Sequence, residues 1–235
     1  MPAPPVAICP PQAAAQRENG DIPVARIPRL PASAADAKGF VMPGWRIEKQ
    51  LSADLDRDGR ADLVAVLKGA DPACRIATDE GREPFDSNPR ILMVALARGG
   101  RLMLQAANSE ILTRRSDPYM DDPFEAGDLT VRNGAVRVGL TSWRSAGGWS
   151  TFTAHFTFRW DGRVMALIGY DRDHLQRNSG ETEQISVNFP TRRARIVTGS
   201  MEDDVPERTV WKTVPTQPAA ALQTLGDGLD YEPRR

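Results

Sequence analysis

The run Asp54-Leu55-Asp56-Arg57-Asp58-Gly59-Arg60-Ala61-Asp62-Leu63 constrains this chain more than any other stretch. Alternation brings Asp54, Asp56 and Asp58 around one point once the backbone curls, and Gly59 permits the sharp turn that follows. The carbonyl of Arg60 then faces inward and Asp62 closes the site from the far side. A hard cation such as Ca2+ takes many oxygen ligands from a flexible loop of this kind. Without a cation or open water, the close carboxylates would repel one another. The twelfth position is Ala65, where a helix-loop-helix calcium site needs a bidentate Glu. Leu63-Val-Ala-Val-Leu67 reads as a buried strand, so the loop enters a sheet and not a helix. The bland alternative is an acidic turn held by Asx-type hydrogen bonds.

The 235 residues suit one large β domain or two small ones, and the net charge of −1 argues against a dedicated nucleic-acid surface. No apolar run is long enough to span a membrane as a helix. Residues 1–20 lack a basic start followed by an apolar core, so they do not read as a signal peptide. A mature exported chain would look the same, and calcium is available outside the cytosol. The two cysteines, Cys9 and Cys74, read either as one disulfide in an oxidising compartment or as two unpaired thiols.

Residues 1–38 read as a flexible lead rich in Pro and Ala, 39–215 as a single β domain, and 216–235 as a C-terminal tail. Strands are predicted at 45–51, 63–67, 91–97 and 101–105, and Asn133-Gly134 joins 129–132 to 135–140 through a primed turn. Between Trp149 and Trp160, Phe152, Phe156, Phe158 and Trp160 alternate with threonines and His155, so the aromatic set faces the core. Further strands fall at 164–169, 184–189 and 193–198, and residues 219–225 read as a short helical turn. The expected core includes Leu63, Val66, Leu92, Val94, Phe156, Phe158 and Leu167. Residues 71–90 read as a polar surface excursion.

No catalytic motif stands out. There is no nucleophile elbow and no phosphate loop, and Asp171, Asp173 and His174 lack a second histidine or a cysteine for a zinc site. The segment 169–188 reads as a long charged loop of the kind that carries binding. Tyr170 stands at its base as an aromatic anchor for a partner.

The Asp-x-Asp-x-Asp-Gly-x-x-Asp-Leu run resembles the calcium loops of integrin-type propeller repeats, but occurs once, which excludes a full seven-bladed propeller. Together with Phe158 to Gly169 and Ser186-Val187-Asn188, it resembles a group of exported bacterial proteins with one such loop. Within that group, about residues 40–200 are similar to the lipoprotein immunity proteins of the Xanthomonas type IV secretion system. The resemblance implies an all-β fold of antiparallel hairpins in a partial or incomplete propeller-like arrangement, with one integrin-like calcium loop. It implies a monomer in the periplasm that is not an enzyme and inhibits a lysozyme-like peptidoglycan hydrolase used in bacterial competition. Cys9 has no apolar run before it, so a lipid anchor would belong to a precursor segment. The implied metal ligands are Asp54, Asp56, Asp58, Arg60 (through its carbonyl) and Asp62. The implied partner-binding residues are Tyr170, Arg172, His174, Arg177, Ser179 and Gly180, with Ser179-Gly180 matching the Ser-Gly loop of periplasmic lysozyme inhibitors. The alternatives are a calcium-stabilised envelope protein without an enzyme target and a cell-wall hydrolase.

Overall fold

A computed structural model describes residues 7–9, 22–78, 83–125, 127–202, 206–215 and 220–233. Part of the expected lead (1–6 and 10–21), residues 79–82 of the polar excursion, and residues 216–219, where the tail and helical turn were expected to begin, lie outside them. In chain order the strands are β1 (Ser33–Ala34), β2 (Trp45–Ala53), β3 (Asp62–Gly69), β4 (Arg75–Ile76), β5 (Phe85–Asp86), β6 (Arg90–Arg98), β7 (Arg101–Asn108), β8 (Leu129–Arg132), β9 (Ala135–Ser142), β10 (Ser150–Trp160), β11 (Met165–Gln176), β12 (Glu181–Asn188), β13 (Arg193–Ser200) and β14 (Arg208–Thr213). All pairings are antiparallel.

Two sheets dominate. One has five strands in the order β1-β7-β6-β3-β2, the other seven in the order β14-β13-β12-β11-β10-β9-β8, and β4 and β5 form a small third. Their inner faces share one core, in which Val64, Val66, Leu92 and Val94 meet Val136, Val138, Phe156, Phe158 and Leu167. The seven expected core residues are all buried. β3 and β6 are the central layer of the molecule. Leu63, Ala65, Leu67, Ile91, Met93 and Ala95 turn to the opposite face, where Ile8, Leu30, Phe40 and Trp45 cover them. A strand covered on both sides must be apolar at consecutive positions, which is why 63–67 and 91–96 show no alternation. Cys9 and Cys74 form a disulfide that ties the covering segment down.

The partial or incomplete propeller-like arrangement is not what the chain adopts. None of the three sheets closes or curls, and the Asp loop belongs to a sheet packed face to face with a larger one. A propeller instead repeats four-stranded sheets radially around a central channel, whereas here a five-stranded and a seven-stranded sheet share one core. The 169–188 segment is also not a loop. β11 continues to Gln176, β12 starts at Glu181, and Arg177–Gly180 is the hairpin turn between them. These strands read as a loop because one face of the sheet is solvated and the hairpin extends past the apolar core.

The described part of the expected tail packs on the body. Leu222 and Leu225 join the core, and Asn108 Nδ2 donates to the carbonyls of both at 2.6 Å. A single 3-10 turn, Leu222–Thr224, stands where the helical turn was expected.

Candidate functional site

The β2–β3 hairpin closes at Ala53 opposite Asp62, and the Asp loop forms its end. Leu55 is buried in the intersheet core and pins the loop from below. Arg57 and Gly59 adopt left-handed backbone at φ 65° and 82°, which folds the segment back on itself. The Asp54 carboxylate accepts from the amides of Arg57 (2.7 Å), Asp58 (3.2 Å) and Gly59 (3.0 Å). The result brings carboxylate oxygens of Asp54, Asp56 and Asp58 within 4.8 Å of one another, the one group of this kind among the described residues. An all-oxygen set from three carboxylates fits a metal ion that prefers hard ligands.

Asp62 is not brought into that group. It is 1% exposed, and its two oxygens accept from the amides of Leu55 (2.7 Å) and Ala97 (2.8 Å). Its role here is to anchor the loop to its own start and to β6, and the buried Leu55 amide would otherwise lack this partner. Two arginines face the cluster. Arg98 pairs with Asp56 at 2.9 Å, and Arg60 grips Asp58 through Nε and Nη2. The Arg60 hydrogen bond holds the Asp58 carboxyl below its ordinary pKa.

The expected partner-binding residues separate into two sets. Tyr170, expected as an exposed anchor, is 1% exposed and belongs to the core. It lies opposite Phe156 in the register, with ring centroids 5.2 Å apart, and Tyr231 covers it at 5.0 Å. Arg172 lies over the Phe152 ring at 4.4 Å and pairs with Glu232 at 2.5 Å, so it braces the C-terminal segment. His174 Nε2 meets Ser150 Oγ at 2.7 Å across the β10–β11 pair. Arg177, Ser179 and Gly180, by contrast, sit at the exposed hairpin turn.

That turn has a neighbour the sequence did not single out. Arg177 donates from Nη2 to the carbonyls of Arg144 (2.7 Å) and Gly148 (2.6 Å), and its guanidinium lies 5.4 Å from the Trp143 ring. Its amide bonds to the carbonyl of Trp149 at 2.8 Å. The 144–149 loop is thus clamped to the hairpin tip, and Trp149 projects from it, 61% exposed. On the other side, Met201 bonds back to the Gly180 carbonyl and is 69% exposed. A depression of about 320 Å³ lies between Ser145, Gly148, Trp149 and Arg177.

A second charged group went unread in the sequence. Arg90, 3% exposed, is bound by Glu48 (2.6 Å) and Asp122 (2.7 Å), and Lys68 pairs with Asp86 at 3.0 Å. Glu48 is the extra residue of a bulge between Ile47 and Lys49. This network closes one end of the intersheet core, beside Phe124.

Searches against family models, curated proteins and solved structures find no match to this chain. Among the described residues, no helix is long and apolar enough to cross a membrane.

Proposed function

We propose that this chain is a calcium-stabilised periplasmic protein that binds and inhibits a lysozyme-like peptidoglycan hydrolase. The observation that carries the reading is the hairpin tip. A solvent-exposed tryptophan is held on a loop whose backbone is clamped by Arg177, beside the Ser179-Gly180 turn. Exposed aromatics on rigid supports are the usual anchors of protein interfaces. A tryptophan projecting from such a tip suits the concave sugar cleft of a glycosidase. Trp149 replaces Tyr170 as the anchor, because Tyr170 is inside the core. Calcium suits three carboxylates on a flexible loop better than magnesium, which demands stricter octahedral geometry and keeps its waters. A disulfide in a chain that also carries a carboxylate-rich loop accords with an oxidising compartment where calcium is available.

The test is turbidimetric lysis of purified peptidoglycan by lysozyme-like muramidases, with the full chain titrated in at millimolar calcium. Stoichiometric inhibition is expected. Trp149→Ala should weaken inhibition by about 2 kcal/mol, roughly thirtyfold, with an unchanged melting temperature. Lysis unaffected by excess chain would instead favour an envelope protein without an enzyme target. Lysis of peptidoglycan by the chain alone would make it a hydrolase.

A further inference from the structure

The seven-stranded sheet ends in an open edge at β14, which pairs only with β13 among the described residues. The Val214 amide bonds to the Arg192 carbonyl at 2.9 Å. In an antiparallel strand, backbone groups alternate between the two sides. Arg208, Val210 and Lys212 therefore turn their N–H and C=O groups toward β13, and Thr209, Trp211 and Thr213 turn theirs outward. Five of the six residues of β14 are exposed, Val210 being half-buried. Trp211 is 56% exposed and carries the Arg193 guanidinium 4.4 Å from its ring. Arg193, Arg195, Arg208 and Lys212 are all exposed and have no ion-pair partner among the described residues.

We propose that β14 is a docking edge for an extended acidic segment of a partner protein, added as an eighth strand of the sheet. Strand addition at an exposed edge draws affinity from main-chain hydrogen bonds and specificity from alternate side chains. Here the specificity is legible. Arg208 and Lys212 lie on one face two residues either side of Val210, and Trp211 lies on the other. An antiparallel partner places acids opposite Arg208 and Lys212, a β-branched residue opposite Val210, and an aromatic opposite Trp211. Cross-strand opposite charges and aromatic pairs each favour that register. The same pattern disfavours a second copy of this chain. Antiparallel self-pairing about Val210 sets Arg208 against Lys212, and like charges on an edge are a common guard against such pairing. The surface is separate from the hairpin tip and does not depend on the inhibitory reading.

The probe is the synthetic peptide Thr-Glu-Tyr-Val-Thr-Glu-Thr, added to the 15N-labelled full chain at up to about 1 mM, beside its counterpart with Lys for Glu. The expected result is slowed amide exchange at Thr209, Trp211 and Thr213, with binding at least tenfold weaker for the Lys peptide. Arg208→Glu with Lys212→Glu should reverse that preference. Thr209→Pro removes an outward N–H without touching a ladder bond, and should abolish binding while leaving exchange in β13 unchanged. Equal binding of both peptides, no protection at the outward amides, or dimerisation of the free chain through β14 would each overturn the proposal.

Discussion

Replacing Tyr170 by alanine separates a core residue from a surface anchor. The ring is 1% exposed and packed among Phe156 at 5.2 Å and Tyr231 at 5.0 Å. Truncating a large buried aromatic removes its transfer free energy and leaves a cavity, a loss of about 3–5 kcal/mol. Against a total stability of roughly 5–15 kcal/mol, that is a large share. Tyr170→Phe is the control. The hydroxyl reaches the Tyr231 carbonyl at a long 3.4 Å, so its loss costs about 1 kcal/mol or less. Burial also pushes the phenol up to about 12. Because the folded value is raised, this contribution is full below the unfolded value near pH 10 and is lost as pH rises through 12. Urea unfolding at neutral pH measures both variants. A loss under about 1 kcal/mol in Tyr170→Ala would refute the packing argument.

Three further outcomes follow from the same geometry. With free calcium a hundredfold above its dissociation constant, chelation should remove about 2.7 kcal/mol and lower the melting temperature by roughly 5–10 °C; Asp54→Ala should abolish that difference, and equal melts with and without chelator would count against a metal at the loop. Reducing Cys9–Cys74, 65 residues apart in sequence, should cost about 4 kcal/mol on loop entropy, read as a lower urea midpoint; an unchanged midpoint would mean the N-terminal cover contributes nothing. Burial raises the Asp86 carboxyl, but Asn88 and Lys68 outweigh it and hold the group at about 2, so its stabilisation is present above about pH 4 and is lost as pH falls through 2; Asp86→Asn should flatten that part of the acid-unfolding curve by about 1–2 kcal/mol, allowing for solvent screening of a partly exposed pair.

The Asp loop was legible because ligand spacing is local. Asp54, Asp56 and Asp58 meet as their alternation implies, whereas Asp62 cannot be placed from spacing alone, since its acceptor role depends on Ala97 in a strand 35 residues away. Most of the longer strands were legible from alternation, from apolar runs and from Asn133-Gly134, but β1, β4, β5 and β14 were not, and neither was the assembly of the sheets. One loop resembling a propeller repeat says nothing of how its sheet packs, whereas the unbroken apolar runs at 63–67 and 91–96 already carried the signal of a layer covered twice. Tyr170 was misplaced because the charged residues after it look like a loop. The alternation of Ile185 and Val187 with Gln184, Ser186 and Asn188 marks the partner strand that makes them a hairpin. Trp149 and Trp211 were invisible as surface residues, because an isolated tryptophan gives no sequence sign of which way it faces. Residues 216–235 read only as a tail with a short helical turn, yet Leu222, Leu225 and Tyr231 pack on the core.

The central claim is that the chain inhibits a peptidoglycan hydrolase through its hairpin tip. Titrating wild type and Trp149→Ala into a lysozyme-like muramidase acting on purified peptidoglycan, with melts run in parallel, tests it most directly. The account predicts stoichiometric inhibition by wild type and roughly thirtyfold weaker inhibition by an equally stable variant. Equal inhibition by both proteins would contradict the tip as the binding surface, and undiminished lysis at excess wild type would contradict inhibition itself.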